Sequence, residues 1–139
     1  MIKKKRLSLE AGLLLLFGCA LEHPVVAQIP GMISHQGKIT VDNTNFTGTG
    51  QFKFALVDAA GVNTFWSHDG TSISGTEPTG SPVSLPVTRG IFSVNLGDSA
   101  ISNMSRAIPA SVFTNGDVRL RVWFNDGIAG MPHARETRA

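Results

Sequence analysis

One cysteine, Cys19, occurs in 139 residues. That excludes an internal disulfide framework, and with it a zinc site built from several thiolates. Charge is also sparse, 16% of residues, and the twelve basic side chains face ten acidic ones. No long stretch carries apolar residues at helical spacing, so there is no helix for a glycine-rich phosphate loop to open. No serine sits in a Gly-x-Ser-x-Gly setting, and a serine hydroxyl without a positioned base is a poor nucleophile. The one long uncharged apolar run, residues 11–21, reaches only about half of the roughly 30 Å of a bilayer core at about 1.5 Å per residue. A permanent transmembrane helix is not expected.

That run belongs to a leader. Lys3, Lys4, Lys5 and Arg6 precede it, and Val25-Val26-Ala27 places small residues at the −3 and −1 positions of a cleavage site. This three-part pattern predicts a secretory signal peptide over residues 1–27, cut between Ala27 and Gln28. Leu16-Phe17-Gly18-Cys19 also resembles a bacterial lipobox, with Cys19 as the acylated residue. Phe17 is an unusual residue at its position and a good ordinary site follows, so cleavage after Ala27 is the preferred reading over a lipid anchor. Removal of residues 1–27 takes four basic and two acidic residues away, leaving 112 residues with eight of each sign. The alkaline pI of the whole chain is a property of the leader and gives no argument for nucleic acid. A mature chain of this length can bury roughly 65% of its unfolded surface, enough for one ordinary domain.

Period-two alternation dominates the rest. Residues 51–58 are the richest case, with Phe52, Phe54 and Leu56 on one side and Gln51, Lys53 and, less strictly, Ala55 and Val57 on the other. This is the expected central strand. Residues 33–41 alternate likewise, and Gly37 in their midst predicts a bulge or a close backbone approach. Residues 42–50, rich in Asn, Thr and Gly, read as a turn. In residues 64–68 only one of the adjacent Phe65 and Trp66 can face a core. Residues 69–82 form the longest loop. Val83, Leu85 and Val87 alternate on a strand whose Pro86 confines it to an edge or to one-sided pairing. With Phe92, Val94 and Leu96 on the next strand it makes the strongest hairpin signal. Residues 108–113 start one helical turn at Pro109. Residues 117–124 turn Val118, Leu120, Val122 and Phe124 inward and Arg119, Arg121 and Trp123 outward, and Asn125-Asp126-Gly127 turns the chain back. The predicted fold is all-β: a single antiparallel β-sandwich of five to seven strands, immunoglobulin- or transthyretin-like, over residues 28–130. Residues 131–139 stand where a returning strand belongs, yet they have almost no apolar face.

Candidate sites are few. His35, His68 and His133 match no compact ligand spacing, and structural roles are expected for them. Asp42, Asn43 and Asn45 offer oxygens of the kind calcium takes, but lack the glycine and distal glutamate of the helix-loop-helix calcium motif, so turn chemistry is the reading. Asn45-Phe46-Thr47 and Asn103-Met104-Ser105 fit a glycosylation sequon that is expected to be chance. Arg119, Arg121 and Trp123 share one strand face. Such residues are enriched at protein interfaces and stack on sugars, so this stripe is the candidate binding face.

Ile33-Ser34-His35-Gln36-Gly37-Lys38-Ile39 resembles the opening of a β module found near the N-terminus of large secreted bacterial proteins, often ahead of repetitive or tail-fibre-like regions. The later motifs, residues 51–58, Phe65-Trp66-Ser67, 90–97, 108–113 and 118–127, follow in the order of that module. The resemblance implies an exported, noncatalytic module without a cofactor, and brings no catalytic residues with it. The module ordinarily continues beyond the Asn-Asp-Gly turn into a different sequence, so residues 131–139 are expected to be divergent or to mark a truncated or frameshifted fragment. The expected function is a structural or attachment module of a bacterial surface or envelope protein. A carbohydrate- or protein-binding role through Arg119, Arg121 and Trp123 is the alternative. Other protein chains at an uncovered sheet edge, and glycans, are the expected partners; nucleic acid is not. The expected location is outside the cytoplasm: secreted, periplasmic or on the cell surface.

Overall fold

The computed structural model describes residues 31–128. The leader, Cys19, the Ala27–Gln28 bond, His133 and residues 131–139 lie outside the described residues. The fold within them is all-β, and every strand pair is antiparallel.

It is built on β4 (Gly48–Val57), a ten-residue strand. Phe52 and Phe54 are fully buried and Leu56 nearly so, as the alternation predicts. One long edge of β4 takes β8 (Arg119–Asn125), in continuous register from Gln51↔Asn125 to Val57↔Arg119. The other edge is shared. Its first half pairs with β6 (Val83–Val87) and its last residues with β5 (Thr64–Ser67). A two-stranded sheet of β1 (Ile33–Lys38) and β7 (Ile91–Leu96) completes the core. Its Phe92, Val94 and Leu96 join the side chains of β4, β6 and β8 in one apolar cluster, which Ile39, Met104, Ile108 and Val112 also enter. The Phe52 ring is at the centre, 4.4 Å from Phe92 and 5.2 Å from Phe124 between centroids, with Phe54 stacked on it at 5.9 Å. Gly37 is required here by close approach: a Cβ at that position would collide with the Phe92 ring.

Several elements differ from the sequence expectation. The end of the expected strand 33–41 and the start of the expected turn 42–50 form a second small ribbon, β2 (Thr40–Val41) against β3 (Thr44–Asn45). Asp42 and Asn43 turn it, both at positive φ, the combination that a tight mirror-image turn demands. β4 then starts earlier than expected, at Gly48. The expected hairpin of β6 and β7 is not a ladder. Only Thr88 and Ile91 exchange hydrogen bonds, across Arg89 and Gly90 at positive φ, and the strands then part into different sheets. The physical reason is Pro86. The next exchanging pair would be Pro86 with Ser93, and proline has no N–H to give. The turn is tied instead to the β2–β3 ribbon, since Gly90 N–H donates to the Phe46 carbonyl and Ile39 N–H to the Gly90 carbonyl. Pro109 caps rather than begins a single 3-10 turn, Ala110–Thr114. Among the described residues no helix is long and apolar enough to cross a membrane.

Candidate functional site

The outer face of the β4–β8 pair carries the stripe singled out in the sequence. Lys53 is opposite Trp123, Ala55 opposite Arg121 and Val57 opposite Arg119. The three residues of the stripe have different surroundings. Arg119 is exposed and pairs with Asp117 two residues away, Nε to Oδ1 3.2 Å. Trp123 is half-buried, with the Arg121 guanidinium carbon 5.9 Å from its ring centre. Arg121 is a fastener. Its Nη1 donates to the carbonyl of Gly75 at 2.7 Å and lies 3.4 Å from that of Gly61, so it ties the loop of residues 69–82 and the turn after β4 to the sheet. Gly75, at φ 72°, cannot carry a Cβ because the Gly61 carbonyl occupies that space. Sequence spacing placed Arg121 correctly on the outward face, but the carbonyls that hold it come from distant turns with no local signature.

Lys53 fastens the same loop further along. Its Nζ donates to the Pro78 carbonyl at 2.7 Å and pairs with Glu77 at 3.0 Å. The loop thus lies over the outer sheet face, which is why Ala55 and Val57 are buried although they point away from the main core. Within the loop, Asp69 is the hub. Its carboxylate accepts from Thr71 N–H and Oγ1, Gly80 N–H and Ser67 Oγ. Partial burial pushes its pKa up, but the Thr71 and Gly80 hydrogen bonds outweigh that and hold it below the ordinary carboxylate value. An acid with a lowered folded pKa stabilises the fold above its unfolded pKa, near 3.8, and loses that contribution as pH falls through the folded value. Asp69→Asn should therefore be less stable than the parent at pH 7, by about 1–2 kcal/mol for charge-assisted bonds partly open to solvent. The difference should shrink in melts taken from pH 5 down to pH 3, and a difference independent of pH would count against the hub.

His68 occupies a break in the sheet. Along the shared edge of β4, neither β5 nor β6 covers Phe54. His68 does so: its N–H donates to the Phe54 carbonyl at 3.1 Å, and the Phe54 N–H donates to Nδ1 at 3.4 Å. Nε2 lies 3.1 Å from the Ser81 carbonyl. A neutral ring with its proton on Nε2 satisfies both contacts. His35 sits elsewhere, on β1, its ring 5.8 Å from Phe92 and its pKa lowered by burial. Among the described residues no three His, Cys, Asp or Glu side chains group as a metal site would require.

A groove of about 430 Å³ opens beside β5, lined by Phe65, Trp66, Gly70, Ser72, Arg106 and Pro109 among others. Trp66 is the buried member of its pair, and its indole N–H donates to the Arg106 carbonyl at 3.0 Å. Phe65 stays half-buried. The Thr64 and Ser72 hydroxyls near it bond to each other and to the loop backbone. Sequence reasoning did not find this groove, because Arg106 comes from a segment without periodicity.

The sequence of these elements matches, over residues 34–135, the family described as "Domain of unknown function (DUF8740)". The chain belongs to this family. No match is found among curated proteins or among solved structures. For this DUF8740 domain the described residues thus supply the β4-centred core, a fastened outer face and a lateral groove.

Proposed function

We propose that the chain is a noncatalytic structural or attachment module of an exported bacterial surface or envelope protein. One observation carries the reading. Lys53, His68, Asp69 and Arg121, four side chains with chemistry to offer, are each engaged by this chain's own backbone or side chains. They hold loops to the sheet, and no buried side-chain nitrogen or oxygen among the described residues lacks a partner. A module whose polar groups serve its own rigidity is suited to spacing and presenting other segments. The leader pattern of residues 1–27 supplies the exported part of the reading.

Expression of the full chain in a bacterial host, followed by fractionation and intact mass measurement, tests it. The expected product lies outside the cytoplasm and begins at Gln28. A cytoplasmic product that retains residues 1–27 would overturn export, and one acylated at Cys19 would overturn the cleavage site.

A second reading, glycan or protein binding on the Arg119/Arg121/Trp123 face, is favoured by one feature: Arg121, itself fixed, stands beside the Trp123 ring and holds it in place. The recovered product on a glycan array distinguishes the two. No retention is expected, whereas retention abolished by Trp123→Ala would favour the second reading.

A further inference from the structure

The groove beside β5 holds two donors that nothing among the described residues answers. The first is a backbone group. Phe54 and His68 face each other on the shared edge of β4. Two residues further along, Leu56 and Trp66 exchange hydrogen bonds, while the Ala55↔Ser67 pair between them does not. Ser67 therefore turns its N–H and C=O away from β4. Its C=O accepts the Gly70 N–H at 3.1 Å, but no described residue accepts its own N–H. Ser67 is almost fully buried and forms part of the groove wall. A buried backbone N–H without an acceptor is rare, because it costs as much as a lost hydrogen bond.

The second donor is Arg106. Its backbone is pinned to the end of β5: the Ser105 N–H donates to the His68 carbonyl at 2.8 Å, and the Trp66 indole N–H to the Arg106 carbonyl at 3.0 Å. Its side chain lies against Gly70, where a Cβ would meet Nε. Gly70 is also the residue bonded to the Ser67 carbonyl, so the guanidinium and the Ser67 edge are neighbours across one glycine. No hydrogen bond or ion pair with a described residue engages this guanidinium, and no acidic side chain lines the groove. Asp69, close in sequence, is turned to Thr71 and Gly80.

A backbone N–H beside a guanidinium is the donor set that a carboxylate takes. The remaining walls bear on what carries it. Half-buried Phe65 and exposed Pro109 offer apolar surface. The hydroxyls are already engaged: Thr64 with Ser72 and Gly75, Ser72 with Thr76, and Ser67 with Asp69. A sugar acid would bury its own hydroxyls there without partners. We propose that the groove binds the free C-terminal carboxylate of a peptide ending in an apolar residue. The carboxylate accepts from the Ser67 N–H and from Arg106, and the last side chain lies on Phe65 and Pro109. Residues 28–30, which approach through Gly31 beside Ala107, are Gln, Ile and Pro and bring no negative charge to the guanidinium. The site stands apart from the Arg119/Arg121/Trp123 face and goes beyond both readings above.

Amide NMR of the isotope-labelled chain, titrated with the peptide acetyl-Ala-Ala-Leu, tests it. A saturable downfield shift of the Ser67 amide proton is expected, as for an N–H that gains a carboxylate acceptor. The same peptide with an amidated C-terminus should give none. Arg106→Gln should weaken binding about tenfold, and Arg106→Lys less, about threefold, because it keeps the charge and loses the planar fork. Arg106 is exposed, so neither variant threatens the fold. No Ser67 shift, equal binding of the amidated peptide, or indifference to Arg106→Gln would each overturn the proposal. Galacturonate shifting Ser67 where the peptide does not would overturn it in favour of a sugar acid. Binding that emerges only after Glu136→Gln would overturn it too, by assigning the guanidinium to a carboxylate of the chain itself.

Discussion

Phe52→Ala is expected to cost about 3–5 kcal/mol, the range for a fully buried aromatic truncated where neighbours cannot collapse into the space. The neighbours here are unusually constrained. The ring touches Phe54 along its own strand, Phe92 from the β1–β7 sheet and Phe124 from β8, so it joins three strands beyond simple burial. Each partner is itself at most 5% exposed and held by its own ladder. A domain of this size has a total stability of about 5–15 kcal/mol, so the variant should retain little margin. Urea unfolding followed by tryptophan fluorescence checks this: the midpoint should fall steeply with the slope unchanged. A loss below about 1 kcal/mol would show that the centre of the core lies elsewhere.

His68→Ala should be nearly as damaging, roughly 3–5 kcal/mol, for a different reason. Phe52 contributes contact area, whereas His68 contributes hydrogen bonds that the sheet cannot replace. Removing the ring leaves the buried Phe54 N–H without its acceptor, at about 1–3 kcal/mol for a buried group left unpaired, and deprives the solvent-accessible Ser81 carbonyl of its donor at a smaller cost. A cavity in a fully buried position adds to this. His68→Gln keeps an acceptor and a donor on the side chain and should recover part of the loss. Amide exchange at Phe54 should accelerate more than at Leu56, whose partner is Trp66 of β5. Equal acceleration at both would mean that the ring acts only as filler.

These two residues also mark what the sequence makes legible. Phe52 stands in strict alternation with Phe54 and Leu56, and that pattern located the central strand, its inward face and the all-β class. The strands around it were found the same way. The errors fall where alternation is silent. Gly48-Thr49-Gly50 reads as loop by composition but is strand, because Gly50 lies under the rings of Phe52 and Phe124 where no Cβ fits. The β2–β3 ribbon has only two residues per arm, too few to show a period. The hairpin expected from β6 and β7 fails on Pro86: its place at an edge is legible in the sequence, while its fall on the second exchanging pair depends on the register of the turn. His68, read as a histidine at a strand end, substitutes for a strand, a role that depends on where β5 stops and β6 starts along β4. Arg121, read as part of an outward binding stripe, is held by the carbonyls of Gly61 and Gly75, and nothing in strand periodicity reports on loops that return over a face.

The order in which the strands meet has a consequence for the newly made chain. β1 finds its partner only in β7, with Ile33 opposite Leu96, and β4 meets β8 only when Asn125 has been synthesised to sit opposite Gln51. Such distant pairings delay folding, since a long loop must close before any ladder rewards it. The β1–β7 pair cannot close before Leu96 has left the ribosome, nor the β4–β8 ladder before Asn125, so the nascent polypeptide stays without its sheets until most of the described domain has been made.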